Sequence, residues 1–476
     1  MRLRIPHRSL GAYPRRMAAA LLATALAGCA SVDMPALKQP LPDHWRHTAV
    51  AAGTRAPTDL HAWWHVFGDR QLDALVDQAL AGNLGVAQAR EHVLAARALR
   101  RAEARRFRPQ LRATTIDAID PDASASFFVA GFDATWELSL FGRGVASRRV
   151  ARGDVAAADA DLRAARLSLV AEVVRDWLDL RAAQQQLATL DAIRDARQRE
   201  YASLQVRHRL RLASMDEVDR ARAALDQAES AQVEPREAVD ASAQQLAVLL
   251  GRPEPDPEWF RPAAPPSLGG WRLAAAPADL LRSRPDILRA EADVLRAAGE
   301  AGLAHANRYP SLALGGSLVW STNLQTHRRT SDNALFSSGP IIDIPLFDWG
   351  IRAAQDHAKR HELQASVLAY RQAVLQAVAE TETALGQLQE RADDERRCAD
   401  ALDALTQADA VVARRVGLRL ASPIDGDESR VAREQAELAL IQARARRGLA
   451  FVALFKALGG APLPDERLAS QAERPD

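Results

Sequence analysis

Residues 210–214 read Leu-Arg-Leu-Ala-Ser, and residues 418–422 read Leu-Arg-Leu-Ala-Ser again. The step between them is 208 residues, and at the same step Leu246–Gly251 (LAVLLG) answers Leu454–Gly459 (LFKALG). Upstream the step is 201: Phe107–Leu111 (FRPQL) pairs with Arg308–Leu312 (RYPSL), and Val93-Leu94 with Val294-Leu295. Between these, Trp136–Gly142 (WELSLFG) faces Ile342–Asp348 (IDIPLFD) at a step of 206. Several ordered matches with slowly drifting steps indicate a duplication rather than chance. A first repeat, 59–251, and a second, 278–462, are therefore expected, joined by a proline-rich linker, 252–277, and followed by a tail, 463–476.

Each repeat reads as helix, two strands, long helix, shorter helix. Arg143–Leu210 and Gly350–Gly417 are rich in Ala, Leu, Arg, Glu and Gln and contain no proline. Each is expected to run as a helix of about 65 residues, near 100 Å long at about 1.5 Å per residue. Such length calls for lateral partners. In the second, Leu363, Val367, Tyr370, Val374, Val378, Leu385 and Leu388 form one apolar stripe, and Ala365, Ala369, Ala373 and Ala377 a second, small one. Two stripes imply neighbours on two sides, as in a ring of helices. Pro235 falls inside the expected Ser214–Leu250 helix and should kink it.

From Phe128 to Leu138 the even positions (Phe128, Ala130, Phe132, Ala134, Trp136, Leu138) are apolar and the odd ones mostly small or polar. Leu312, Leu314, Leu318 and Trp320 alternate in the same way with Ser311, Ala313, Gly315 and Ser317. Period-two alternation fits a membrane barrel strand, and equally a soluble sheet. Four strands cannot close a barrel, which needs about eight, so a barrel would have to be built by several chains.

The amino terminus reads as a processing signal. Met1–Arg16 carries five arginines and no acid, Met17–Ala27 is a short apolar run, and Leu26-Ala27-Gly28-Cys29 closes it. This predicts a signal peptide over 1–28 and an acylated Cys29, the motif resembling a bacterial lipobox, with 29–58 as a lipid-anchored segment. Ala30 rather than Asp follows Cys29, which by the bacterial sorting rule sends a lipoprotein to the outer membrane. Removing the signal takes five positive charges from a formal +1, leaving about −4, so nothing suggests a nucleic-acid partner. With Cys29 acylated, Cys398 has no intrachain partner and no disulfide framework is expected.

No phosphate-binding G-x-x-x-x-G-K-[ST] loop, G-x-S-x-G elbow or H-E-x-x-H site is present. His61 and His65 stand four apart without an intervening glutamate, a spacing better suited to packing or surface roles. No catalytic residue, cofactor or metal is expected.

The ordered series Trp63-Trp64, Phe67, Asp69, Leu72, Leu75, Ala79-Leu80, Asn83, Trp136-Glu137-Leu138, Leu140-Phe141-Gly142, Arg284-Pro285-Asp286, Pro345-Leu346-Phe347 and Ala457–Gly460 resembles the outer-membrane factors of TolC/OprM type. The acylated, NodT-like branch serving resistance-nodulation-division pumps is the most similar. The resemblance spans roughly 59–462 and implies a mainly α fold with a membrane β portion. A homotrimer would form a 12-stranded β-barrel continuous with a 12-helix α-barrel. The implied role is the outer-membrane channel of a tripartite efflux pump, passing small molecules from periplasm to exterior, with a periplasmic adaptor and an inner-membrane pump as partners. A duct for type I protein secretion and a lipid-anchored periplasmic scaffold without a pore are the competing readings.

The resemblance assigns adaptor contact to two hairpin tips, Leu210, Arg211, Leu212, Ala213, Ser214 and Leu418, Arg419, Leu420, Ala421, Ser422. It assigns the pore entrance to Asp425 and Glu428, with Asp427 between them and Glu217 in the matching place of the first repeat. Ser214 with Glu217 reads as a capping box, and Ser422 before Pro423 as an N-cap. The family carries glycine where this chain has Arg211 and Arg419, and its entrance-latching tyrosine falls here on Val416.

Overall fold

The computed structural model describes residues 32–37, 39–40, 44–47, 58–118, 127–273, 281, 283–323 and 333–460. The signal segment, Cys29 and the tail 463–476 lie outside these residues. The elements run α1 (Arg70–Gly82), α2 (Leu84–Arg105), β1 (Gln110–Ala118), β2 (Phe127–Leu138), α3 (Arg143–Arg209), α4 (Met215–Ser230) and α5 (Val233–Leu249). The second repeat supplies α6 (Pro285–Ala306), β3 (Ser311–Asn323), β4 (Asn333–Asp343), α7 (Ile351–Gly417) and α8 (Pro423–Ala457). The two proline-free stretches form α3 and α7, of 67 residues each.

The shorter helices differ between repeats for a local reason. Pro235 has no N–H for the carbonyl of Ala231, and its ring crowds that carbonyl. The helix accordingly breaks at Ala231-Gln232, separating α4 from α5, whereas α8 is unbroken over 35 residues. On α7 the stripe Leu363, Val367, Tyr370, Val374, Leu385 and Leu388 is buried. Of the alanines, Ala365 and Ala369 are exposed and Ala377 is buried with the first stripe.

Two compact units emerge, each drawing on both repeats. One contains 92–158 and 289–371 with the sheet; the other contains 39–91, 159–288 and 372–476. In the second, Trp63, Trp177, Phe451 and Phe455 are fully buried. The Trp63 ring stacks on Phe455 at 5.6 Å, and its indole N–H donates to the Gly460 carbonyl at 3.1 Å. Asp69 caps α1 through Gln71 and Leu72, and its other oxygen accepts from the Trp177 indole at 2.7 Å. Within the segment expected to be a linker, Trp259, Trp271 and Leu273 are buried, and Arg181 and Gln184 donate to the Arg261 and Trp259 carbonyls.

In the first unit the strands form one antiparallel sheet ordered β1-β2-β3-β4. Its registers correct one alignment made from the sequence. Gln110 lies opposite Thr135 and Ser311 opposite Asp343. Stepping 201 from Gln110 to Ser311 therefore goes with stepping 208, not 206, from Thr135 to Asp343. The shared Leu-Phe dipeptides at 140–141 and 346–347 suggested 206, but hydrogen-bond register, not side-chain identity, defines equivalent positions. At 208, Phe141 matches Trp349 and Gly142 matches Gly350, and all four have positive φ.

Candidate functional site

The sheet carries the first candidate surface. Direct antiparallel partners share a face, and here Phe132 opposes Leu318, Trp136 opposes Leu314 and Ala130 opposes Trp320. Leu318 in turn opposes Phe336, and Phe132 opposes Ala113. Phe132, Trp136, Leu314, Leu318, Trp320 and Phe336 are all exposed, making a largely apolar face with no cover among the described residues. On the opposite face Thr114 donates its hydroxyl to Asp133 at 3.2 Å, and Arg112 is aligned with Asp133. That opposite face is mixed, since Val319, Leu335 and Ile341 share it with Asp133, Ser317 and Ser337. The first face, with its large apolar side chains, is the one suited to a lipid-facing barrel wall. The Trp136 indole donates to the Phe107 carbonyl at 3.0 Å, anchoring the ring at the sheet's end. Both outer strands, β1 and β4, have one unpaired edge among the described residues. No described helix is long and apolar enough to cross a membrane.

The second candidate surface is the pair of hairpin tips. Leu212 N–H donates to the Arg207 carbonyl and Arg211 N–H to that of His208; Leu420 and Arg419 repeat this with Arg415 and Val416. These are two Schellman closures, which place the C′ residue in the left-handed region that favours glycine. Arg211 sits there with φ of 62° and Arg419 with φ of 60°. The neighbouring Leu210, Leu212, Leu418 and Leu420 are each about two-thirds exposed, at 64%, 66%, 70% and 67%. Each tip thus displays Leu-Arg-Leu to solvent. Beneath them, Leu204, Val218 and Ala221 pack with Tyr201, Ala213 and Ile424, tying α3, α4 and α8 together.

The next residues begin α4 and α8. Ser214 Oγ accepts from Glu217 N–H, and the Glu217 carboxylate accepts from Ser214 N–H at 2.7 Å. Ser422 and Asp425 form the same reciprocal box, at 3.1 and 2.7 Å, so the second tip has a full capping box, beyond the N-cap expected there. Hydrogen bonds from the serine backbone and then from its hydroxyl hold both carboxyls below the usual carboxylate range.

The acidic residues assigned to the entrance therefore separate. Asp425 and Glu428 are exposed, with Asp425 engaged in its cap. Asp427 is turned inward, accepting from Arg199 of α3 at 3.0 Å, with Arg430 at 3.9 Å. Val416 packs its methyl against Gly426, where an added Cβ would lie 3.3 Å away, so the position assigned to a latching tyrosine carries no hydroxyl.

Other candidates resolve as structure. His65 Nδ1 pairs with Asp73 at 2.6 Å, and no group of His, Cys, Asp and Glu that could hold a metal occurs among the described residues. Cys398 is partly exposed on α7. Arg284, nearly buried, donates to Asp286 and Glu380 at 2.7 Å and to the Ala457 carbonyl, which accounts for the Arg-Pro-Asp motif at 284–286.

Comparison with known proteins agrees with this geometry. The chain is 29% identical to nodulation protein T of Rhizobium leguminosarum bv. viciae over 380 residues, 78% of each chain. It is 27% identical to outer membrane protein OprJ of Pseudomonas aeruginosa over 463 residues, covering 93% of this chain and 95% of that one. The structure of the outer-membrane channel OprN superposes with a TM-score of 0.77 at 25% identity, covering 91% of this chain and 100% of that one. The family described as outer membrane efflux protein matches residues 75–252 and 276–460, most of the sequence, and the chain belongs to that family.

Proposed function

We propose that three copies of this chain close the barrel of an outer-membrane efflux channel, which receives small molecules from an inner-membrane pump through a periplasmic adaptor held at the hairpin tips. One observation carries this reading: a four-stranded sheet with a lipid-suited face and two unpaired edges belongs to a chain that also has two 67-residue helices. Four strands are too few to close, and open apolar edges aggregate unless paired. Acylation of Cys29 supplies a second anchor beside the barrel. Purified protein in a planar bilayer should give discrete, long-lived conductance steps. A protein that inserts yet never conducts would favour a scaffold without a pore.

Asp425 and Glu428 supply the charge at the periplasmic entrance. They lie three residues apart near the start of α8, where the helix dipole favours acids, and the cap keeps Asp425 ionised. Threefold repetition of both would place six carboxylates around the opening, drawing in cations as charged rings do. Glu428→Gln should lower cation selectivity and weaken block by multivalent cations without loosening the tip. Asp425→Asn should do the same and loosen the tip as well. Unchanged selectivity in the double variant, with trimers intact, would remove both residues from the entrance.

A further inference from the structure

The contact between repeats inside the chain is a template for the contact between chains. β2 of the first repeat pairs with β3 of the second, with Trp136 opposite Leu314 and Leu138 opposite Leu312. Advancing β2 by 208 residues and setting β3 back by 201, the two steps fixed by the hairpin registers, gives the corresponding pairs for β4 against a neighbour's β1. Ile344 then lies opposite Ala113 of the partner subunit, and Leu346 opposite the partner's Leu111. The same steps carry one side-chain contact across. Phe141 stacks on Tyr309 at 5.0 Å and 13° within the chain; its equivalent is Trp349, and that of Tyr309 is Arg108.

We infer that residues 344–349 are a docking segment for a second copy of this chain, pairing as strand with 111–113 of that copy and stacking Trp349 on the partner's Arg108. This rests on the proposed trimer and adds its register. Two features of the single chain support it. β2 runs to Leu138, past the point where β1 begins, with β3 there to pair with it; β4 stops at Asp343, where β3 begins, with no described strand on its other side. The segment is also exposed: Ile344 is 54% exposed, Leu346 88% and Trp349 86%, with Phe347 of the same segment edge-on to the Trp349 ring at 4.7 Å, while Leu111 on the receiving strand is 73% exposed. In the first repeat the matching turn is covered, with Phe141 under Tyr309. Arg108 is exposed, and its backbone repeats that of Tyr309, donating three residues back to Arg105 as Tyr309 does to Ala306. A guanidinium over an indole is a favourable stack.

Cysteine pairs test the register in a Cys398→Ser background, using full-length protein in outer-membrane vesicles. Directly opposed positions across antiparallel strands lie within disulfide reach, about 4.5–5.5 Å between Cα atoms, whereas a shift of two residues does not. Leu111→Cys with Leu346→Cys should cross-link between chains, and so should Ala113→Cys with Ile344→Cys. Leu111→Cys with Ile344→Cys, the pairing that a step of 206 would give, should not. Trp349→Ala should release monomer from the trimer several-fold faster, and Trp349→Phe should largely restore it. Intact trimers by native mass that cross-link at 111–344, or at neither expected pair, overturn this register and leave the trimer standing. Chains that remain folded monomers overturn the trimer itself.

Discussion

Among the described residues, four helices end in the same Schellman closure, and they divide into two kinds. At the ends of α5 and α8 the C′ residue is glycine, Gly251 and Gly459, both with φ of 72°. At the ends of α3 and α7 it is arginine. The surroundings explain the split. A Cβ on Gly251 would lie 2.6 Å from the Gly82 carbonyl oxygen, and one on Gly459 would lie 2.7 Å from Arg284 Cα. Those ends are pressed against backbone, so only glycine fits. The tips are open, and a side chain there meets no steric obstacle beyond the left-handed backbone, which costs an L-residue roughly 1–2 kcal/mol. Arginine is thus tolerated at the tips rather than required by the fold, and its reason for being there is sought in what the tips touch.

The largest effect should come from adding a Cβ at the crowded ends. Gly459→Ala combines the left-handed penalty with a clash against backbone and should destabilise the chain by about 2–4 kcal/mol, read as a fall in the temperature at which helical circular dichroism is lost. Ser422→Ala removes one half of a capping box and should cost about 1 kcal/mol, seen as faster amide exchange confined to the start of α8. At the open tips the sign reverses. Arg419→Gly relieves strain but loosens the unfolded chain, so it should stabilise by about 1 kcal/mol or less, while adaptor capture by the purified channel weakens. A variant that loses stability would mean that arginine makes contacts within the chain, and the contrast between the two kinds of end would fail.

The smallest effect is a pH dependence of the tips. Glu217 and Asp425 have folded-state pKa values below their unfolded ones. Their contribution is fully present above the ordinary carboxylate range and is lost as pH falls through the lowered folded values. Protection factors at residues 214–217 and 422–425 should therefore drop on acidification before those of the helix interiors. Equal loss everywhere would assign acid sensitivity to another part of the molecule.

Much of this was legible in the sequence because the relevant physics is local or periodic. The repeated Leu-Arg-Leu-Ala-Ser, the capping pair Ser214 and Glu217 and the alternation over Phe128–Leu138 follow from spacing, and the missing N–H of Pro235 predicts a kink where the structure has a full break between two helices. Three features did not. The repeat step at the strands depended on hydrogen-bond register, and the Leu-Phe dipeptides at 140–141 and 346–347 pointed two residues astray. Asp427 reads like its acidic neighbours, and only the helix azimuth turns it toward Arg199, 228 residues earlier in the chain. The proline-rich stretch after Gly251 reads as a loose connector, yet Trp259 and Trp271 bury themselves and tie it down. Long-range packing decided all three.

Four strands from one chain are too few to close a barrel, and native mass measurement of the protein extracted from outer membranes in mild detergent tests the proposed trimer most directly. The predicted result is a species of three chains, each carrying its acyl mass, with no folded monomer. A single folded chain, stable in detergent with the amides of β1 to β4 protected from exchange, would contradict it.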